Sequence, residues 1–173
     1  IKQKTMDLKG KVAYITGGTK GIGYGIAETL LEQGMKVAIS GRNQEGVDWA
    51  VKNLGDGGRV LGLVSDVTKQ KDEIDAVDKI LATWGQLDMV MANAGVGIFS
   101  PIDEMKNEDW HQMIDTNLNG VFHTLKASVE ALKESEGYYM TLASLAGTNF
   151  FPGGAGYNAT KFGVVGFTQA AML

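Results

Sequence analysis

Tyr157 and Lys161 are the two residues whose types and spacing most directly suggest chemistry. They stand four residues apart, so they share one face of a helix if the segment around them is helical. A phenol is a weak acid with an ordinary pKa of about 10, and a neighbouring ammonium group favours the phenolate. Such a pair can exchange a proton with a substrate oxygen, as carbonyl reduction requires. A lone Tyr-x-x-x-Lys also arises by chance in helices, so other signals are needed.

A second candidate site is the glycine-rich segment TGGTKGIG at residues 16–23. Glycines let the backbone approach a ligand closely, and a helix that begins here would offer free N–H groups to an anion such as a pyrophosphate. The spacing is Gly-x-x-x-Gly-x-Gly, which differs from the Gly-x-Gly-x-x-Gly fingerprint, and no Gly-Lys-Ser/Thr of a P-loop follows. An ordinary glycine-rich turn of an α/β protein remains the alternative.

The elements that would position these residues alternate regularly along the chain. Short, continuously apolar runs predict strands, and apolar residues at helical spacing predict helices between them. This spacing places Ile22 on the buried face of the first predicted helix and Ile74 on that of the third. This pattern favours βαβ units and a doubly wound, Rossmann-like α/β fold, with a parallel sheet covered by helices on both faces. The predicted strands are Lys11–Thr16, Met35–Ser40, Arg59–Asp66, Leu87–Gly95 and Tyr138–Ser144; the predicted helices cover 22–34, 47–54, 74–84, 107–134 and 157 onward.

Composition excludes several classes of protein. The chain has 173 residues, with 16 basic and 20 acidic side chains and a net charge of −4, which argues against a nucleic-acid partner. Cysteine is absent, which excludes thiolate metal sites and disulfides and fits a cytoplasmic location. We find no apolar run of membrane-spanning length and expect neither a signal peptide nor a membrane partner. His111 and His123 do not share a helical face, and we predict no metal site.

Five motifs in order make the chain resemble the short-chain dehydrogenase/reductase family, and carbonyl reductases and 3-oxoacyl-carrier-protein reductases in particular. They are the Thr-Gly-x-x-x-Gly-x-Gly turn, the Asn-Ala-Gly turn at 93–95, an asparagine in the long helix, a serine after the fifth strand, and Tyr-x-x-x-Lys. The resemblance implies hydride transfer between a nicotinamide cofactor and a carbonyl or secondary alcohol.

The same resemblance assigns roles to individual residues. Tyr157 would be the general acid/base, with Lys161 tuning it and holding the nicotinamide ribose. Ser144 would stabilise charge on the substrate oxygen, and Asn117 would anchor a water in a proton relay. Residues expected to bind the cofactor are Gly17, Thr19, Lys20, Gly21, Ile22, Gly23, Arg42, Asp66, Val67, Asn93, Ala94, Gly95, Tyr157 and Lys161.

The end of the second strand bears on the choice between NADP(H) and NAD(H). A carboxylate there would bind the ribose 2′-hydroxyl of NAD, whereas an arginine accommodates the 2′-phosphate of NADP. Here the strand ends Ser40-Gly41-Arg42, and Lys20 could add a second cation. The sequence therefore favours NADP(H), with NAD(H) as the alternative. Asp66 would contact the adenine, although a turn or N-cap role fits it equally.

The resemblance also carries expectations about the whole protein. We expect residues 1–173 to form a single domain that is cut short at Ala170–Leu173, with the family's C-terminal strands and substrate loop absent from this sequence. We also expect a small-molecule carbonyl or alcohol substrate and a homodimer or homotetramer. An apolar substrate is suggested by Val96, Gly97, Ile98, Phe99, Leu145, Phe150 and Phe151.

Two functions of other classes stay open at this point. A catalytically silent nucleotide-binding protein would keep the cofactor site without turnover. An S-adenosylmethionine methyltransferase would also use a glycine-rich turn on an α/β sheet, but it gives no reason for Tyr157 and Lys161.

Overall fold

The predicted parallel sheet is present in the computed structural model, which describes residues 7–55 and 57–171. The strands are β1 (Val12–Ile15), β2 (Lys36–Gly41), β3 (Val60–Val64), β4 (Met89–Ala92) and β5 (Tyr138–Thr141). All strand pairs are parallel, and the strand order is β3-β2-β1-β4-β5. The chain therefore runs outward from β1 to β3, crosses back, and continues with β4 on the other side of β1.

Helices cover both faces of this sheet, as predicted. Alternate residues of β1 point to opposite faces and are all buried, which explains why this strand reads as a continuous apolar run. The helices are α1 (Gly21–Glu32), α2 (Gln44–Leu54), α3 (Gln70–Trp84), α4 (Asn107–Ile114), α5 (Gly120–Ser135) and α6 (Ala155–Ala171). One face of the sheet packs against α1 and α2, and the other packs against α3 and α5.

The long helix predicted for 107–134 is present but interrupted. A π-helical turn, Asp115–Asn119, separates α4 from α5 and contains Asn117. A π-helical turn inserts an extra residue into the helix, so it changes the direction in which the following side chains point.

The structure corrects several predicted details. Ile22, expected on the buried face of α1, is 64% exposed, because α1 buries Gly23, Ala27 and Leu31 instead. Ile74, expected on the buried face of α3, is 41% exposed, and its neighbour Glu73 is fully buried in its place.

Strand ends differ from the prediction as well. The strand expected to end at Ser144 stops at Thr141, because Thr141 pairs with Ala92, the last residue of β4. Ser144 therefore lies in the following loop, where it precedes a short 3₁₀ turn, Leu145–Gly147. β3 likewise ends at Val64 rather than at Asp66.

Two further expectations concern membrane-spanning helices and the end of the sequence. No helix within 7–55 and 57–171 is long and apolar enough to cross a membrane. The expectation about the chain end falls partly on Met172 and Leu173, which lie outside the described residues.

Candidate active site

A cleft of about 810 Å³ opens at the carboxyl ends of the strands. In a doubly wound sheet this is where ligands bind, at the point where the strand order reverses, and here that point lies between β1 and β4. The cleft collects residues that follow all five strands. Its lining is Gly17, Thr19, Lys20, Gly21, Ile22, Gly41, Arg42, Asn43, Ser65, Asp66, Val67, Asn93, Ala94, Gly95, Val96, Gly97, Phe99, Thr116, Leu142, Ala143, Ser144, Tyr157 and Lys161.

Of the predicted catalytic and cofactor-binding residues, all but two line this one cleft. The two exceptions are Gly23 and Asn117, which are buried. The sequence motifs, spread over almost the whole chain, are therefore brought together in space.

The glycine-rich turn leads from β1 into α1 along one side of the cleft. Gly17 and Gly21 have positive φ angles of 64° and 58°, which side chains other than glycine rarely adopt. Lys20 occupies the N-cap position without a side-chain capping bond, and the first turn of α1 contains no acidic residue. The first N–H groups of α1 therefore need partners, and an anionic group of a ligand would satisfy them. This arrangement fits a pyrophosphate.

Asn93 and Thr16 hold the glycine-rich turn against the end of β4. The amide Nδ2 of Asn93 donates to the carbonyls of Thr16 and Gly17, at 2.9 and 3.1 Å. In return, Thr16 Oγ1 accepts from the backbone N–H groups of Asn93 and Ala94, both at 3.1 Å. A Cβ atom at Gly23 would collide with the Asn93 amide, so this glycine allows the close packing rather than facing the cleft.

The end of β2 presents a cation to the cleft. Arg42 and Lys20 are both exposed at its rim. Gly41 has no room for a side chain, since a Cβ atom there would lie 2.6 Å from Thr19 Cγ2. A carboxylate at that position would require Thr19 to move. Asn43 beside them caps α2 by accepting a hydrogen bond of 2.8 Å from the N–H of Gly46.

Asp66 and Val67 lie at the mouth of the cleft after β3. Asp66 Oδ1 accepts hydrogen bonds from Thr68, from the backbone N–H at 3.1 Å and from the hydroxyl at 2.9 Å. Asp66 therefore has the turn role considered from the sequence, and it also lines the cleft, where we expect the adenine. Val67 is 6% exposed.

Tyr157 and Lys161 lie on α6 at the opposite end of the cleft. Lys161 Nζ donates to the carbonyl of Leu142 at 2.7 Å and lies 5.7 Å from the centre of the Tyr157 ring. Lys161 is buried, and burial lowers its pKa because the charged form loses hydration. An ammonium group buried beside a phenol, at the edge of a cleft, is well placed to influence proton transfer there.

Ser144 begins the 3₁₀ turn on the same side of the cleft. Its Oγ accepts a hydrogen bond of 3.1 Å from the N–H of Ala146, so its own proton is free to donate to a ligand. Ser144 therefore caps this turn as an acceptor, and the cap does not use its hydroxyl proton.

Asn117 connects the π-helical turn to the loop that follows β4. Its Oδ1 accepts from the N–H of Val96, and its Nδ2 donates to the carbonyl of Val96, both at 2.8 Å. The second Nδ2 proton goes to Thr160 Oγ1 at 3.1 Å, and that hydroxyl donates to the carbonyl of Tyr157 at 2.8 Å. The buried side chain of Asn117 is therefore engaged by protein groups and positions two segments of the site.

Aromatic residues form a wall beside Tyr157. The ring of Phe99 packs edge-on against Tyr157 with 5.5 Å between ring centres, and against Phe151 with 5.8 Å. The loops that carry Phe99 and Phe151 are joined by a hydrogen bond of 3.0 Å from Ser100 N–H to the Gly153 carbonyl. Of the residues proposed from sequence to contact substrate, Val96, Gly97 and Phe99 line the cleft.

Some residues of the site were not identified from sequence. Thr16 holds the glycine-rich turn, and Asn43, Ser65, Thr116, Leu142 and Ala143 line the cleft. Thr16 ends a predicted strand, and Ser65 and Leu142 are among the last three residues of theirs, which is the signal that could have found them. Among residues 7–55 and 57–171 no group of His, Cys, Asp or Glu could hold a metal ion.

Comparison with known proteins gives consistent results. Residues 11–173 match the family model described as short chain dehydrogenase. The 3-oxoacyl-acyl-carrier-protein reductase of Escherichia coli is 36% identical over 166 residues, which are 95% of this chain and 67% of that protein. An uncharacterized oxidoreductase of Listeria monocytogenes is 34% identical over 161 residues, which are 92% of this chain and 65% of that protein.

Solved structures agree with these relatives. A short-chain dehydrogenase/reductase from Burkholderia phymatum, in complex with NAD, superposes with a TM-score of 0.92 at 28% identity, covering 96% of this chain and 60% of that one. An alcohol dehydrogenase from Thermococcus sibiricus, complexed with 5-hydroxy-NADP, superposes with a TM-score of 0.90 at 34% identity. The match covers 94% of this chain and 70% of that one. The chain thus spans roughly two thirds of the length of the proteins it matches.

Proposed function

The chain belongs to the short-chain dehydrogenase family, and from that premise we propose that it is an NADP(H)-dependent oxidoreductase that interconverts a carbonyl compound and a secondary alcohol. The observation that carries this proposal is the single cleft that contains both the glycine-rich turn and the pair Tyr157 and Lys161. A binding site for an anionic nucleotide and a proton donor are the two parts that such a reaction needs.

The residues of the cleft divide the work in the proposed mechanism. The turn at 16–23 and the N-terminus of α1 would hold the pyrophosphate, and the nicotinamide cofactor supplies or accepts the hydride when bound. Tyr157 donates its hydroxyl proton to the substrate oxygen during reduction and takes it back during oxidation. Ser144 donates a hydrogen bond to the same oxygen and stabilises its developing charge.

Lys161 acts on two groups in this mechanism. Its ammonium group favours the phenolate of the neighbouring tyrosine, and it binds the nicotinamide ribose. Asn117 supports Tyr157 through Thr160, whose hydroxyl donates to the backbone carbonyl of Tyr157. Because the Asn117 side chain is engaged by protein groups, a relay water would use the backbone of the π-helical turn or the remaining lone pair of Oδ1.

The preference for NADP(H) rests on the charges around the ribose end of the cleft. Arg42 and Lys20 are exposed at the rim, and a carboxylate in place of Gly41 would require Thr19 to move. Arginine offers a planar set of donors that matches a phosphate. The alternative is a preference for NAD(H), and the solved relatives include one in complex with NAD and one complexed with 5-hydroxy-NADP.

The proposal is tested by cofactor binding and turnover with the same preparation. Isothermal titration with NADPH and NADH should show tighter binding of NADPH, and NADPH should be consumed with a panel of aldehydes and ketones. A clear preference for NADH would overturn the choice of cofactor. Binding without turnover across the panel would favour the silent nucleotide-binding protein, and binding of S-adenosylmethionine alone would favour the methyltransferase.

The wall of Phe99 and Phe151 beside Tyr157 supports an apolar substrate. We further propose that the protein acts in the cytoplasm as a homodimer or homotetramer. Exposed aromatic residues on α5 and α6, Phe122 at 43% and Phe162 at 45%, support association through these helices. Analytical ultracentrifugation tests the oligomeric state, and a monomer at micromolar concentration would contradict the proposed dimer or tetramer.

A further inference from the structure

Glu73 on α3 is a buried carboxylate that the proposed mechanism does not use. The residue is 0% exposed. Ser65 Oγ donates to its Oε1 at 2.6 Å, and Thr124 Oγ1 lies 2.9 Å from its Oε2. The hydroxyl of Tyr14 lies 3.1 and 3.2 Å from the two carboxylate oxygens. These hydroxyls come from β1, from the end of β3 and from α5.

A buried carboxylate at this position calls for a physical explanation. Taking a carboxyl group out of water is costly unless its oxygens are hydrogen-bonded. Proteins in which apolar side chains replace buried ionic groups are often no less stable. The neighbouring buried positions of α3, Ala76, Val77 and Ile80, are all apolar. The position of Glu73 within the fold suggests what it contributes.

Its closest partner, Ser65, is the residue that joins β3 to the cleft. Ser65 is 2% exposed, and its backbone N–H donates to the carbonyl of Gly41 at 3.0 Å. The next two residues are Asp66 and Val67, and all three line the cleft. The hydrogen bond from Ser65 to Glu73 therefore fixes the first residue of a lining segment.

The other two residues of this segment are also held by α3 and α5. Asp66 N–H donates to Asp72 Oδ2 at 3.1 Å, and His123 Nδ1 lies 2.9 Å from the carbonyl of Val67. Asp72 is the neighbour of Glu73 on α3. His123 is the neighbour of Thr124 on α5, so the contact of Glu73 with Thr124 joins the two helices that hold the segment.

We propose that Glu73 is a positioning residue for the adenosine end of the proposed cofactor site, acting through the Ser65 hydroxyl to fix the segment 65–67. The inference rests on the proposed function, because it takes Asp66 and Val67 as the part of the cleft that receives the adenosine. It adds a residue that does not line the cleft and would reach the cofactor only through Ser65.

The experiment measures binding of the adenosine half of the cofactor. The adenosine probes are adenosine 2′,5′-bisphosphate and AMP, and NADPH is the whole cofactor for comparison. Each is titrated calorimetrically into the full chain. The variants are Glu73→Gln, which keeps the shape of the side chain, and Ser65→Ala, which removes the link. Tyr14→Phe is the matched control, because it removes another hydroxyl from the same carboxylate and leaves the Ser65–Glu73 hydrogen bond of 2.6 Å in place. Melting temperatures are measured for every variant.

Ser65→Ala should weaken binding of the adenosine probe by about three- to tenfold. Glu73→Gln should weaken it less, because the amide oxygen can still accept from Ser65 but carries no charge. The double variant should lose no more affinity than Ser65→Ala alone, because both changes act on the same hydrogen bond. Tyr14→Phe should melt at a lower temperature and bind the probe as the wild type does. If Glu73→Gln does not fold, Ser65→Ala with the Tyr14→Phe control still decides the question.

Two results would overturn the inference while leaving the proposed function intact. One is unchanged affinity of the Ser65→Ala and Glu73→Gln variants for the probe. The other is an equal loss of affinity in Tyr14→Phe, which would mean that the hydroxyls around Glu73 only stabilise the fold. If the wild type binds neither NADPH, NADH nor either probe, the proposed function fails and the inference falls with it.

Discussion

Asn117 and Val96 are joined by two hydrogen bonds of 2.8 Å, one in each direction. The side-chain amide of one residue thus satisfies both backbone groups of the other. This pairing fixes the loop after β4 against the π-helical turn, and the same amide reaches α6 through Thr160. Three segments of the site therefore meet at one buried side chain.

Replacing Asn117 with alanine should affect both stability and activity. The change leaves the N–H and the carbonyl of Val96 without their partner, and a buried polar group left unpaired costs about 1–3 kcal/mol. The free energy of unfolding, from urea denaturation, should fall by that amount, and kcat should fall because Tyr157 loses support. Asn119→Ala is the control, because Asn119 is exposed on the same turn; an equal loss in both variants would contradict the prediction.

Tyr157→Phe should remove turnover and retain cofactor binding. The ring still packs against Phe99, so the cleft keeps its shape, while the proton donor is gone. General acid catalysis contributes about a hundredfold to ten-thousandfold, so kcat should fall at least about a hundredfold with NADPH affinity unchanged. Tyr138→Phe is the control, since Tyr138 is 51% exposed on β5. Substantial residual activity in Tyr157→Phe would refute the proposed acid role.

The positions of Tyr157 and of the glycine-rich turn could be predicted from sequence, but the π-helical turn could not. A continuous apolar strand followed by glycines indicates a turn at the sheet edge, because local pattern determines it. The π-helical turn contains Asn117, which contacts a residue 21 positions earlier, and no helical periodicity reveals such a contact.

Burial of Glu73 cannot be predicted from the sequence either, because it depends on residues far away along the chain. Its partners Tyr14 and Thr124 are 59 and 51 positions away in the chain. The sequence pattern of α3 placed the apolar Ile74 inside, since a carboxylate is expected in water unless partners are known. Only the fold brings the hydroxyl groups to that face of the helix.

Lys161→Ala should impair both cofactor affinity and turnover. The proposed mechanism gives Lys161 two partners, the ribose and the tyrosine, and the change removes the ammonium group that binds both. The dissociation constant for NADPH, measured by titration, should rise about tenfold, as expected for the loss of a charged hydrogen bond, and kcat should fall. Lys79→Ala, an exposed position on α3, should change neither. Unchanged NADPH affinity in Lys161→Ala would refute the ribose contact.

Arg42→Ala should weaken NADPH binding and leave NADH binding unchanged. The side chain is exposed at the rim of the cleft, where a 2′-phosphate is the group that would use its charge. We expect the dissociation constant for NADPH to rise about tenfold. Arg42→Lys should recover part of this loss, because it keeps the charge but not the planar donors. Lys52→Ala on α2 controls for net charge, and parallel changes for NADPH and NADH would contradict the assignment.

Glu73 should make stability depend on pH in a direction opposite to that of most carboxylates. Burial raises the pKa of Glu73, an effect larger than the opposing hydrogen bonds from Ser65, Thr124 and Tyr14 and the charge of His123. The Thr124 hydroxyl lies 2.9 Å from Glu73 Oε2 and 2.8 Å from the Gly120 carbonyl, and it has one proton for these two acceptors. When that proton goes to Gly120, a protonated Glu73 can donate its own proton to the Thr124 oxygen.

The folded state therefore binds the Glu73 proton more tightly than the unfolded state does. Stability from this group is present at pH values below its ordinary pKa of 4.5 and is lost as pH rises through the higher folded pKa. Glu73→Gln cannot titrate, so the free energy of unfolding of the wild type minus that of the variant should fall as pH rises from 4 to 7, by about 1.4 kcal/mol for each unit of pKa difference. Asp72→Asn, on the neighbouring residue, should not reproduce this trend in urea denaturation. A difference that stays constant or grows with pH would contradict the raised pKa.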